Sequence, residues 1–127
     1  MSTWRRKAIE ILPEEKIEFE DPRNSVYTVF AYLLSALNTA QEQKNTERIK
    51  KIFAFAEWCF RQKQKDLWNA AGVSFYEHLD TEEALKTMSQ YVKPDIYKEI
   101  RPLLEVRITP EQLKRLDESF ASYKLRR

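Results

Sequence analysis

The chain holds a single glycine, Gly72, among 127 residues, where ordinary usage near 7% would supply roughly nine. This shortage excludes much chemistry at once. A phosphate-cradling P-loop, a dinucleotide fingerprint and a nucleophile elbow each need several glycines at fixed spacing. Tight primed hairpins lean on glycine as well, which disfavours an all-β fold. What remains is a helical chain. Hydrophobic residues make up 43% and aromatics 13%, enough to fill a core, so the composition is not that of a disordered tail. Charged residues reach 33%, above the usual quarter, as expected for helices with solvated outer faces.

Net charge is +2, from 22 basic and 20 acidic side chains, so the overall field points to neither nucleic acid nor a membrane. Cys59 is the single cysteine and cannot form an internal disulfide, which fits a reducing, cytoplasmic setting. The segment Met1–Leu12 lacks a signal peptide's apolar run, and no stretch is long enough to span a bilayer. The length fits one all-helical domain over residues 1–127.

Apolar periodicity and capping residues predict six to seven helices. Thr3–Leu12 forms the first, ended by Pro13. The acidic stretch Glu14–Asp21 is either extended or a loose helical turn. A strongly apolar helix runs from about Ser25 to Gln43 on Val26, Val29, Phe30, Leu33 and Leu37. Asn45 or Thr46 caps the next helix, to about Gln62, with Ile49, Ile52, Phe53, Ala56 and Phe60 inward. Asp66 caps a third through Leu79, with Gly72 in its middle. Asp80 with Glu83 marks another start. The helix after Lys93-Pro94 is expected to end or kink at Pro102. Thr109-Pro110-Glu111-Gln112 is the sharpest signal, with Thr at N-cap, Pro at N1 and Gln at N3. The favoured arrangement is a short α–α superhelical stack of the HEAT or armadillo kind, with an irregular helical bundle as the alternative.

Ile11-Leu12-Pro13-Glu14, the apolar Val26–Leu37 helix, Ile49–Trp58 and the run Asn69-Ala70-Ala71-Gly72-Val73-Ser74-Phe75-Tyr76-Glu77-His78-Leu79 follow in an order that carries a resemblance. Over about residues 10–104 the chain resembles a family of small, uncharacterised bacterial all-helical proteins of unknown function. The resemblance implies a HEAT-like fold and no catalytic motif. Proteins of this size are similar to immunity or accessory proteins encoded beside toxins. The tail from Thr109 lies outside it.

No residue pattern supports catalysis, a metal site or a cofactor. His78, the lone histidine, has Glu77 and Asp80 beside it, but its favoured role is to offset a helix macrodipole. One Cys and one His cannot supply a structural zinc site. Cys59, between Trp58 and Phe60, reads as a buried core residue. Ser74 and His78 are four apart but lack a third orienting group. Two charged segments are the candidates for recognition. Glu14, Glu15 and Glu18 lie in an acidic run of six carboxylates from Glu10 to Asp21, relieved only by Lys16. Seven basic residues lie between Lys44 and Lys65 against Glu47 and Glu57, with Arg48, Lys51 and Lys44 placed to share a face toward phosphates. Aromatics at stripe edges (Trp4, Trp68, Tyr76, Tyr91, Tyr97, Tyr123) favour contact with another protein. The expected function is therefore a non-catalytic protein-binding module, immunity-like or accessory, touching its partner through Glu14, Glu15, Glu18, Trp68 and Tyr76. The alternative is nucleic-acid binding through Lys44–Lys65. Close approach of another helix across Ala71–Gly72 is expected to explain the one glycine.

Overall fold

The computed structural model describes residues 1–125, and side chains to Ser122. Among the described residues it contains eight α-helices, two 3-10 turns and no strand. The helix count exceeds the expected six to seven because the acidic stretch folds as a helix of its own. Lys124 and Leu125 lie at the end of the last helix, while Arg126 and Arg127, part of the basic C-terminal end, fall outside the described residues, as does the Tyr123 side chain. The chain divides into two compact units, Met1–Phe75 and Tyr76–Arg127.

The N-terminal unit begins with α1 (Thr3–Ile11), the 3-10 turn Pro13–Glu15 and α2 (Lys16–Glu20). A five-residue helix is too short to hold itself together in water. It is held by Arg5 of α1. The Arg5 Nη1 donates to the Phe19 and Asp21 carbonyls at 2.7 and 2.9 Å, and Nη2 donates to Asn24 O at 2.7 Å. One cation thus satisfies carbonyls that the end of a short helix leaves open.

Ser25 caps α3 (Val26–Glu42), its hydroxyl accepting from Thr28 N. The buried stripe of α3 is Val26, Val29, Phe30, Leu33, Ala36, Leu37 and Ala40, the spacing of one broad helical face. The helix ends in a Schellman turn: Asn45 N donates to Ala40 O at 2.8 Å. The residue at the left-handed position is Lys44, with φ 55°, where glycine is the usual occupant. Asn45 then caps α4 (Thr46–Phe60), accepting from Arg48 N. Its buried face holds Ile49, Ile52, Phe53, Phe55, Ala56 and Cys59, while Phe60 is only half-buried.

The third long helix is shorter than its periodicity suggested. α5 spans Lys65–Ser74, with Gln64 rather than Asp66 at its N-cap. Asp66 sits inside the first turn, where its carboxylate still favours the helix N-terminus. Phe75 leaves helical geometry at φ −127°, ψ −73° and turns its ring into the core. There Phe19, Phe55, Phe30, Phe75 and Phe53 form a continuous series. Successive ring centroids lie 6.1, 5.4, 5.7 and 5.6 Å apart, within the range of favourable aromatic pairs. Ala70, Ala71 and Gly72 are buried, and α5 packs against both α3 and α4. Gly72 has no positive φ, so it serves by lacking a side chain rather than by turning the backbone.

The C-terminal unit starts with the 3-10 turn Tyr76–His78. α6 (Glu82–Tyr91) is capped by Thr81, which accepts from Ala84 N, one residue later than the Asp80 start expected. α7 (Pro94–Glu105) continues through Pro102. The proline faces solvent, as does Lys98 one turn earlier, so water can serve the carbonyl that loses its helical donor. α8 (Pro110–Leu125) opens with the expected capping box. Gln112 N donates to Thr109 Oγ1 at 3.0 Å, and Thr109 N donates to Gln112 Oε1 at 2.9 Å. Tyr97 of α7 stacks on Phe120 of α8, centroids 3.9 Å apart. Beside them Arg101 grips Asp117 through two donors at 2.9 and 2.8 Å. The Tyr97 hydroxyl donates to the same carboxylate at 2.5 Å. The Arg101 hydrogen bonds hold Asp117 below its ordinary value of 3.8. Burial, followed by the Asp117 contact, raises the Tyr97 phenol.

Three substitutions test the backbone and a fourth tests this cluster. Gly72→Leu is expected to destabilise the N-terminal unit by about 3 kcal/mol through overpacking. Gly72→Ala should fail to give the gain of about 1 kcal/mol that a spacious helical glycine would. Lys44→Gly should stabilise by about 0.5–1 kcal/mol by relieving the left-handed residue. Urea denaturation measures all three. A carboxyl with a lowered folded pKa adds stability that is fully present above its ordinary value and lost as pH falls through the lowered one. Asp117 therefore supports the α7–α8 contact above about pH 4 and releases it on further acidification. Asp117→Asn should flatten the acid limb of a melting-temperature profile.

Candidate functional site

The two charged segments singled out in the sequence meet in the N-terminal unit. Glu15 ends the 3-10 turn, Tyr32 sits in α3 and Arg48 in α4. Glu15 Oε1 accepts from Arg48 Nη2, and Glu15 Oε2 accepts from the Tyr32 hydroxyl. The Glu15 side chain is 11% exposed and that of Arg48 25%. Burial, then the hydrogen bond to Glu15, pushes the Tyr32 phenol up to about 12, so it remains a proton donor at neutral pH. The Arg48 Nε is buried and has no hydrogen-bond partner among the described residues. The cluster joins the acidic turn to two core helices. Glu15 and Arg48, expected on separate contact surfaces, are thus paired with each other.

Much of the remaining acidic run is neutralised locally. Glu10 pairs with Lys7, Glu20 with Lys16, and Asp21 with Arg23. The Arg23 hydrogen bonds hold Asp21 at about 2. Among the described residues Glu14 and Glu18 have no ion pair. Glu18 is half-buried and accepts weakly from Asn24 Nδ2 at 3.4 Å, whereas Glu14 is exposed. Between them Ile17 is 85% exposed. Sequence reasoning missed this residue, because Ile17 and Phe19 alternate with charges: an extended segment would place both on one face, and only a helical turn sends them to opposite sides. The structure buries Phe19 and leaves Ile17 outside.

The aromatic contacts expected at stripe edges divide. Trp68 is 40% exposed and available to a partner. Tyr76 is 1% exposed, which corrects its placement on a contact surface: the break at Phe75 ends the helical register that put it at an edge. Tyr97 is also buried, and Trp4 and Tyr91 are half-buried. The Trp4 ring lies under the Arg5 guanidinium at 4.5 Å.

The basic candidates differ in their surroundings. Arg48 turns to Glu15, while Lys44 and Lys51 are exposed. No carboxylate lies within ion-pair distance of Lys44, Lys50, Lys51, Lys63 or Lys65 among the described residues. A groove of about 640 Å3 lies beside the first residues of α1, α3 and α5, lined in part by Trp4, Arg5, Tyr27 and Lys65.

Cys59 is fully buried, and burial pushes its thiol up, away from the reactive thiolate. His78 is exposed in its 3-10 turn, with Nδ1 3.4 Å from Arg107 Nη2. A guanidinium has only donors, so Nδ1 accepts there. Glu77 holds the same arginine at 3.4 Å. The end of α5 at Ser74 removes Ser74 and His78 from a common helix. Among the described residues no group of three or more His, Cys, Asp or Glu side chains is placed to hold a metal ion. None of the helices there is long and apolar enough to cross a membrane.

The Glu15 cluster predicts a contrast between neighbours. Glu15→Ala, which strips Arg48 and Tyr32 of their partner, should cost about 1–3 kcal/mol. Glu14→Ala on the exposed side should change stability by less than about 0.5 kcal/mol. Chemical denaturation of the two variants side by side measures the difference.

No curated protein and no solved structure matches the chain significantly. A family model matches residues 5–106, a span close to the resemblance seen in the sequence, and it ends before α8. On that match the chain belongs to the family described as Domain of unknown function (DUF7674).

Proposed function

We propose that the chain is a non-catalytic protein-binding module that presents α2 to its partner. The observation that carries this reading is Ile17, 85% exposed on an ordered helical turn. An isoleucine in this position forgoes burial worth about 1.5–3 kcal/mol, which a complementary socket would recover. Glu14 and Glu18 flank it without ion pairs among the described residues. The partner that fits is a protein with an apolar socket and a basic rim. Trp68 offers a second apolar contact. The more concrete form is an immunity-like or accessory protein of the bacterial cytoplasm, supported by the family resemblance. A HEAT-like stack is supported by α3, α4 and α5, each of which packs against the other two.

Affinity capture with the whole chain tests this surface. A protein retained by the wild type should be lost with Ile17→Asp and with the pair Glu14→Lys, Glu18→Lys, while melting temperatures stay within a few degrees. Undiminished capture of the same protein by both variants would overturn the assignment to α2. Glu15 is left intact in this series because of its role in folding.

A second reading, nucleic-acid binding, is favoured by Lys44, Lys50, Lys51, Lys63 and Lys65, which have no ion pair among the described residues. It predicts retention on RNA or DNA whose log–log salt dependence has a slope of several units, reduced by Lys50→Glu with Lys51→Glu. Failure to bind at low salt removes it.

A further inference from the structure

We draw no further inference here: the strongest candidate, the groove beside the N-terminal ends of α1, α3 and α5 with Arg5 and Lys65 on its walls, rests on helix N-termini with no second observation that points to a ligand, since the Arg5 terminal nitrogens are already spent on three backbone carbonyls.

Discussion

The N-terminal unit depends on the series of phenylalanine rings running from Phe19 through Phe55, Phe30 and Phe75 to Phe53. The five rings come from α2, α3, α4 and the residue that follows α5. Phe19 brings α2, Phe30 brings α3, Phe53 and Phe55 bring α4, and Phe75 closes the unit. The series accounts for the burial of Phe75, whose ring meets Phe30 and Phe53 just past the end of α5. It also explains why small residues precede that point. Ala70, Ala71 and Gly72 let α5 lie close enough to α3 and α4 for the Phe75 ring to arrive.

Local signals in the chain were largely sufficient for the helices and their caps. Thr109 caps as its spacing implied, and Ser25 and Asn45 cap where the expected helix starts lie, Asn45 being one of the two candidates there, because capping is decided within three residues. The apolar faces of α3 and α4 were equally plain. Where the sequence misled, the deciding contact was distant or the local choices were nearly equal. The helicity of Lys16–Glu20 depends on Arg5, fourteen residues before Phe19 and invisible to any local window. Asp80 and Thr81 are adjacent and both competent to cap, so only burial of Ala84, Leu85 and Met88 selects between them. Pro102 survives inside α7 because it faces water, a fact of orientation rather than propensity.

The candidate surface shows the same division. That the acidic run would be exposed was legible from its charge. That it would be mostly self-neutralised was not, because the Glu15 partners Tyr32 and Arg48 lie 17 and 33 residues away. Two segments that read as opposite and independent patches share one part-buried contact. What remains outside is smaller than the sequence suggested but better defined: Ile17, flanked by Glu14 and Glu18, which have no ion pair among the described residues.

The Arg5 clamp bears on how such a surface could be copied or lost. The five residues of α2 hold their shape on loan from α1, and a short isolated helix in water is marginal even with favourable residues. A synthetic peptide covering Pro13–Asn24 would carry Glu14, Ile17 and Glu18 and still lack their geometry. Recognition at Ile17 would thus double as a readout of folding. A partner binding there would engage the assembled N-terminal unit and ignore its unfolded or proteolysed chain.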